Sequence, residues 1–506
     1  MDRFYIENFG CRATQADGAA LERQFLERGL ERAKVASDAE IVVLNTCTVT
    51  AGADKDARAS IRRLQRVNPD CRILVTGCYA QRAPQELAAL PGVTWVVGNS
   101  HKHQAAEIAI SSSSRSAGSS SSSGFVPLAQ LSLGPHFKDQ LSNDQLSGDQ
   151  FSNVIVGDIF AHTELLAAPV FEAANERTRP NLKVQDGCGN RCSFCVIPYV
   201  RGQSRSLPRE RVIAEVGTLV EAGYREVVIS GINLGRWGRD LEGSSQPSAV
   251  SSQLKPTSND HRLESLIRAV LDQTSLEKLR ISSVEPMDWS DELIGLVAAS
   301  GRIAKHAHVP MQSGSDAVLR RMHRKYRPWH YREKILKIRR AMPTAAIGAD
   351  VMVGFPGETE AEFDETRRMI EELPFTYLHV FTYSARPGTP AAEQAGQVPA
   401  AVARERNRVL REIASRKKAA FMRSLVGTVV EAITLQSGDA EFTEALTDNY
   451  LKMKISGHHA ANRWLDVKVE GVNGEMLMGS AVVNPAMSER EGTAVTQQYT
   501  QANKTN

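Results

Sequence analysis

Apolar residues fall in short runs along the first hundred positions. "RFYIENFGC", "EIVVLNTC" and "CRILVTGC" each read as an apolar strand ending in cysteine. Between the last two, "GADKDARASIRRLQRVN" (52–68) is charged and has helical periodicity. Strand, helix, strand in that rhythm predicts a parallel sheet in a compact α/β domain, placed at residues 1–105. After Asn181 the runs "NLKVQD", "REVVISGIN", "LRISSVEP", "HAHVPMQS", "AIGADVMVGF" and "YLHVFTYS" predict further strands, with helical patterns between most of them. Repeated β/α units build a doubly wound sheet or a barrel, and both hold ligands at the carboxyl ends of strands. This region is placed at 175–423. From Ser424 the pattern turns to all β in "VGTVVEAITL", "YLKMKIS" and "LDVKVEGVNGEMLMGSAV", with Asn473-Gly474 as a hairpin signal. Residues 424–486 therefore predict a small β barrel, a shape often used to bind nucleic acid.

Three stretches carry no such pattern. "SSSSRSAGSSSSSG" is low-complexity serine, and residues 106–174 around it read as an insert or linker. A second flexible piece is expected at 241–261, and 487–506 reads as a disordered tail.

At 506 residues the chain is too long for one ordinary core. A hydrophobic share of 42% with 24% charged residues suits a soluble globular protein. Asp2 and Glu7 interrupt the first apolar residues, so no signal peptide is expected, and no stretch approaches a membrane span. The expected location is the cytoplasm, with no membrane partner. The net charge of +3 says little. Ten Lys/Arg against Glu333 between Arg320 and Arg340, and eight against Glu405 and Glu412 between Arg404 and Arg423, say more. Either run alone reads as a solvated helix face. Two in a near-neutral chain favour a polyanion partner.

The chemistry lies in the seven cysteines. "VQDGCGNRCSFCVIPYVRG" (184–202) spaces Cys188, Cys192 and Cys195 as Cys-x3-Cys-x2-Cys. Three close thiols can hold a metal, form a disulfide with one left over, or simply pack. A reducing compartment favours metal over disulfide. Cys11, Cys47 and Cys78 each follow an apolar strand, and parallel neighbours would bring those strand ends to one sheet edge. Cys71 begins a strand and is expected to be a small buried hydrophobe. A structural zinc takes four protein ligands, and no fourth Cys or His lies near the tight set. Thiolates favour iron–sulfur clusters. A four-iron cube held by three cysteines leaves one iron open for chemistry.

Cys-x3-Cys-x2-Cys beside Phe194 after a strand resembles the radical S-adenosylmethionine enzymes. In that superfamily S-adenosylmethionine chelates the open iron and is cleaved to a 5′-deoxyadenosyl radical. The resemblance implies a partial (β/α)6 barrel. The three-cysteine N-terminal region, this region and the terminal barrel together resemble the methylthiotransferases. "NTCTVT" (45–50) and "VTGCYAQ" (75–81) are similar to the subgroup that converts N6-threonylcarbamoyladenosine in tRNA, at position 37, to its 2-methylthio form. The fold implied is α/β: a Rossmann-like N-terminal domain, the radical barrel, and a terminal TRAM barrel that binds RNA.

The resemblance also implies the site. Two 4Fe-4S clusters are expected, one on Cys188, Cys192 and Cys195, and an auxiliary one on Cys11, Cys47 and Cys78. S-adenosylmethionine is the further cofactor. Its candidate contacts are Gly231 and Asn233 in "SGINLG", Glu285, Gln312 and Asp350. Polar residues at strand ends more often serve as caps or turns. The implied partners are tRNA, with the terminal barrel and the Arg404–Arg423 stretch as phosphate contacts, and an electron donor such as a flavodoxin or ferredoxin. "ARPGTPA" (385–391) reads as a loop near the active site. The C2–H of adenine is too weakly acidic for any side-chain base, which is why a radical is needed. The alternatives are a methylthiotransferase acting on isopentenyladenosine in tRNA or on a ribosomal-protein aspartate, and a non-catalytic metal-binding RNA-binding protein.

Overall fold

The computed structural model describes residues 2–111, 153–161, 165, 179–241, 261–439 and 441–482. The serine-rich stretch, most of the piece at 241–261 and the tail lie outside these residues. The chain divides into two compact units, Met1–Lys417 and Lys418–Asn506.

The first unit opens with six parallel strands: β1 (Arg3–Asn8), β2 (Glu31–Arg32), β3 (Ile41–Thr46), β4 (Arg72–Gly77), β5 (Val93–Gly98) and β6 (Val154–Ile155), in the order β2-β1-β3-β4-β5-β6. Every residue of β3 is buried. A continuous apolar run of this kind suits a central parallel strand covered on both faces. On one face Ile41, Val43 and Leu74 pack with Leu21 and Phe25 of α1 (Arg12–Glu27). On the other, Val42, Leu44 and Val75 pack with Ile61 and Leu64 of α2 (Ala51–Val67). Thr50 caps α2 by accepting from the Ala53 amide at 3.2 Å. The short helices α3 (Cys78–Arg82) and α4 (Pro84–Ala88) follow β4.

This layer extends past residue 105. Helix α5 (Ala105–Ser111) buries Ala105, Ala106, Ile108 and Ala109 in the same core, and β6 adds an edge strand beside β5. β6 and all of α5 after Ala105 lie inside the region expected to be insert or linker. Two residues are too short for a strand signal, and β6 exists only because β5 offers it an open edge.

A second set of parallel strands comprises β7 (Asn181–Asp186), β9 (Glu226–Gly231), β10 (Lys278–Ile281), β11 (His306–His308), β12 (Ala346–Val353) and β13 (Tyr377–Thr382), with the two-residue β8 (Arg205–Ser206) antiparallel beside β7. Pairing runs β7-β9-β10 and β11-β12-β13. A bridge from Leu279 to Ile303 and a 3.1 Å bond from the Val284 amide to the His308 carbonyl join the two halves. The result is the expected six-stranded partial barrel. Helices Arg209–Glu221, Leu263–Gln273, Asp291–Ala299, Pro328–Ala341 and Glu360–Glu372 follow the strands in turn. One core joins the outward faces of the barrel strands to these helices.

The second unit holds β14 (Val429–Gly438), β15 (Phe442–Thr447), β16 (Lys452–Ser456), β17 (Trp464–Asn473) and β18 (Met476–Ala481), closed as a barrel in the order β14-β15-β16-β18-β17. Its core includes Ala432, Met453, Ile455, Val467, Val469 and Leu477. Asn473 pairs with Met476 around Gly474, which has a φ of 58°, so the expected hairpin forms there. No helix among the described residues is long and apolar enough to cross a membrane.

Candidate active site

Strands β1, β3 and β4 are direct neighbours, and their carboxyl ends lie in register at Asn8–Asn45 and Thr46–Gly77. Cys11 is the N-cap of α1, Cys47 follows β3, and Cys78 opens α3. The three residues therefore stand along one sheet edge. Gly10 makes the approach possible. Its φ is 97°, and a Cβ there would lie 2.5 Å from the Cys47 Cβ. Burial pushes the Cys47 thiol up to about 12, and the neighbouring Cys78 and Cys11 add to it. Cys71 is buried in the core behind α2, and burial raises its thiol as well.

Cys188 follows β7, and its amide donates to the Gly202 carbonyl at 3.0 Å. Its sulfur accepts from the Asn190 amide at 3.4 Å and from Asn233 Nδ2 at 3.6 Å. Arg324 Nη1 donates to Cys192 Sγ at 3.2 Å, and its Nη2 holds Glu285 Oε2. Burial pushes the Cys195 thiol up to about 12, with Cys192 and Cys188 adding to it. Burial also raises the Glu285 carboxyl, against the pull of Arg324. Asn233 and Glu285 thus reach the cysteine loop. Gly231 ends β9 beside Gln185, whose Oε1 accepts from the Asn233 amide at 2.7 Å. Gln312 has a φ of 61° and is fixed by backbone bonds of 2.8 Å to Asp350 and from Met352. A non-glycine residue in that region signals strain that its surroundings enforce. Asp350 Oδ1 lies 3.3 Å from Nε2 of His308, a histidine of the barrel wall.

The two cysteine sets adjoin. Cys78 packs against Val196, Ile197 and Val200, at the start and along the length of α6 (Ile197–Arg201), which leaves the second cysteine loop. Asn99 Nδ2 donates to Cys78 Sγ at 3.6 Å and to the Val200 carbonyl at 2.7 Å.

Two buried ion clusters hold this seam. Asp17 on α1 takes Lys102 at 2.9 Å, Arg201 at 2.9 Å, and Lys183 of β7. Asp186, two residues before Cys188, takes Lys183 at 2.7 Å and Arg201 at 3.0 Å. Burial opposes ionisation of Asp17, yet Arg201, Lys102 and Lys183 outweigh it and hold its carboxyl far below the usual range. The second cluster gathers Thr48, Arg82 and Arg386 on Asp54 at 2.6, 2.9 and 2.7 Å. Arg386 lies in the stretch expected as a loop at 385–391, whose last two residues open the helix Pro390–Glu393, and it also reaches the Thr48 carbonyl, next to Cys47, at 3.4 Å. Sequence reasoning missed Asp17, Lys183, Asp54 and Arg324. The available signal was a charge inside an apolar pattern, as Lys183 is in "NLKVQD".

The basic runs are largely consumed within the fold. From the first, Arg321 pairs with Glu362, Arg324 with Glu285, Arg327 with Asp316, Arg332 with Glu372 and Lys337 with Asp291. These pairs tie the run to neighbouring elements, while Arg320, Lys325, Arg332 and Arg340 stay exposed. In the second, Arg406 is buried on Glu358, and Arg408 is clasped by Glu405 and Glu412. Arg404, Arg411, Arg416 and Arg423 remain exposed.

All seven cysteines are free thiols. Among the described residues no three of Cys, His, Asp or Glu stand close enough to chelate one ion. A single zinc needs its sulfurs about 3.8 Å apart, from bonds of about 2.3 Å at tetrahedral angles. A four-iron cube takes each thiolate on a separate iron and spans a wider triangle. Each set offers three thiols, the donor type and number of a four-iron cube with one iron left open.

Residues 3–98 match the family model described as Uncharacterized protein family UPF0004, and residues 182–370 match that of the Radical SAM superfamily. The chain is 35% identical over 456 residues to the threonylcarbamoyladenosine tRNA methylthiotransferase MtaB of Bacillus subtilis, covering 89% of this chain and 90% of the relative. It is 32% identical over 466 residues to the protein of that name in Aquifex aeolicus, covering 92% and 99%. It is 31% identical over 444 residues to the tRNA-2-methylthio-N(6)-dimethylallyladenosine synthase of Erythrobacter litoralis, covering 86% and 87%.

Proposed function

The chain belongs to the radical S-adenosylmethionine methylthiotransferases, and on that premise we propose that it converts N6-threonylcarbamoyladenosine at position 37 of tRNA to its 2-methylthio derivative. The relatives named for threonylcarbamoyladenosine carry the substrate, and the seam at Cys78, where one thiol set packs on the helix leaving the other, supports the two-set chemistry. Its cofactors are 4Fe-4S clusters and S-adenosylmethionine. Cys188, Cys192 and Cys195 would hold one cluster and Cys11, Cys47 and Cys78 the other. Bound there, these groups supply the carbon radical and the methylthio sulfur that an unactivated C2–H requires.

The protein's own residues orient and enclose. Arg324 ties Cys192 to Glu285, so one guanidinium sets both a cluster ligand and a candidate S-adenosylmethionine contact. Asn233 donates to Cys188, and Gly231 lets Gln185 pack against the end of β9, since a Cβ there would lie 2.8 Å from Gln185 Oε1. Gln312 presents a polar side chain from a strained backbone held on both sides. The Asp17 and Asp54 clusters keep the two cysteine edges from sliding apart, because separating them would strand buried charges. The terminal barrel is read as a TRAM domain contacting RNA phosphates, together with the exposed arginines between Arg404 and Arg423. The electron donor is read as a flavodoxin or ferredoxin, and the compartment as the cytoplasm.

The test is mass spectrometry of tRNA nucleosides from cells lacking the gene. Loss of the 2-methylthio group on threonylcarbamoyladenosine alone is expected. Loss on isopentenyladenosine would move the protein to the other branch of its relatives, and loss on neither would overturn a tRNA substrate. Zinc without iron in anaerobically purified protein would leave only a non-catalytic binding role.

A further inference from the structure

Residues 385–391 have no role so far beyond the Asp54 cluster, and their sequence explains their shape. Arg386, Pro387, Gly388 and Thr389 form one tight turn, closed by the Thr389 amide on the Arg386 carbonyl at 3.1 Å. Pro387 presets the backbone at the second position, and Gly388 takes a φ of 78° at the third, the pattern of a type II turn. A Cβ on Gly388 would meet nothing within 4 Å, so the glycine is there for its backbone angle alone. Thr389 Oγ1 also donates to the Arg386 carbonyl, at 2.7 Å. Arg386, Thr389 and Ala391 are buried, whereas Ala385, Pro387, Gly388 and Pro390 are exposed. The turn is stiff, and its inward side chains are anchored.

The anchors reach both cysteine loops. On one side, Arg386 Nη1 donates to Asp54 Oδ2 at 2.7 Å and to the Thr48 carbonyl, next to Cys47, at 3.4 Å. Ser384 Oγ accepts from the Ala51 amide at 3.2 Å. On the other side, the Ala391 amide donates at 2.9 Å to the carbonyl of Ser193, which lies between Cys192 and Cys195. The ring of Phe194, in that same loop, stands 6.4 Å from Phe355, and Phe355 stands 5.5 Å from Tyr383, just before Ser384. Ion pairs on Asp54 alone would hold two layers together without deciding where the loops stand. A turn of fixed angles, bonded to one loop in its middle and to the other at its end, decides their spacing.

We propose that Ser384–Ala391 is a brace that fixes the spacing of the Cys47 loop and the Cys192–Cys195 loop, with Arg386 as its positioning residue. Sulfur supplied at one cysteine set must meet a carbon activated at the other. A misplacement of about 1 Å can cost about a hundred-fold in such a step. The brace therefore governs how often a radical event ends in sulfur transfer. The assignment rests on the reading of the two cysteine sets as one reacting centre.

Two measurements test it on the reconstituted full-length enzyme, with Arg386→Ala, Arg386→Lys and Thr389→Val beside wild type. Hydrogen exchange, read by mass spectrometry, follows the peptides that hold Ala51, Ser193 and Ala391. In Arg386→Ala all three are expected to exchange about ten-fold faster, the scale of one lost hydrogen bond, while the barrel strands keep wild-type rates. Arg386→Lys still reaches Asp54 and should restore most of the protection. Iron content should stay at the wild-type value; a loss assigns Arg386 to cluster retention instead of spacing. In turnover with S-adenosylmethionine, dithionite and a tRNA anticodon stem-loop carrying threonylcarbamoyladenosine, Arg386→Ala should raise the ratio of 5′-deoxyadenosine to methylthio product about ten-fold. Faster exchange throughout the first unit with an unchanged ratio makes Arg386 a stabilising residue and overturns the brace. Wild-type exchange at Ser193 and Ala391 overturns it too. Should Arg386→Ala fail to fold, Thr389→Val, which strands no charge, carries the same comparison. If wild type makes no methylthio product, the functional reading fails, and the exchange rates alone decide the brace.

Discussion

Arg201 Nη2 lies 2.9 Å from Asp17 Oδ2, with both side chains sealed from solvent. The two residues belong to different layers of the first unit, one on the helix behind Cys11 and the other on the helix behind Cys195. A buried pair of this kind adds little net stability, but removing one partner leaves the other charge stranded.

Asp17→Asn is therefore expected to lower stability by about 3–5 kcal/mol. It leaves Lys102, Lys183 and Arg201 with only Asp186 between them. Denaturant unfolding of the reconstituted protein measures the loss. A change under about 1 kcal/mol would mean the cluster is solvated, as exposed pairs are.

The same carboxyl predicts a pH dependence. Its folded pKa is depressed, so its contribution is complete above the unfolded value of about 3.9 and is lost as pH falls toward the folded value. Stability should be level down to about pH 5 and drop below about pH 4. Asp17→Asn should flatten that drop, as followed by thermal melts across pH.

Arg324→Ala should disturb two ligands at once, since the guanidinium contacts Cys192 and Glu285. Weaker S-adenosylmethionine binding, by about ten-fold or more, is expected together with partial loss of iron. Arg324→Lys keeps the charge but loses the fork, so it should rescue iron content better than cofactor affinity. Equilibrium binding and iron analysis separate the two effects.

Reconstituted wild-type protein should hold about eight irons per chain. Cys188→Ala should hold about half of that, and Cys71→Ala should hold all of it, because Cys71 lies in the core behind α2. Iron loss in the Cys71 variant would mean the division of the cysteines is wrong.

Exposed Arg404, Arg411 and Arg416 and buried Arg406 should behave oppositely. Each exposed arginine changed to Ala should reduce the salt slope of tRNA binding by about 1. Arg406→Ala should leave that slope alone and instead destabilise the fold, by stranding Glu358.

Much of this protein can be read along the chain. The six strands of the barrel, the cysteine-ended strands of the first layer and the Asn473-Gly474 hairpin all declare themselves through local apolar runs and turn chemistry. So do both cysteine sets, one by its spacing and the other by its place after successive strands. Local patterns suffice there because adjacency in a parallel sheet follows from repeated β/α units. What lay beyond the sequence is the pairing of distant polar groups. Asp17 and Arg201 are 184 residues apart, and Asp54 and Arg386 are 332 apart. Neither pair has a local signature, because a buried charge is tolerable only when the fold brings its partner. Likewise Arg324 and Arg406 look like solvated basic residues until tertiary packing places a carboxylate and a thiol beside one and Glu358 beside the other. The chain specifies which atoms can do the chemistry; only the folded seam decides which charges face each other across it.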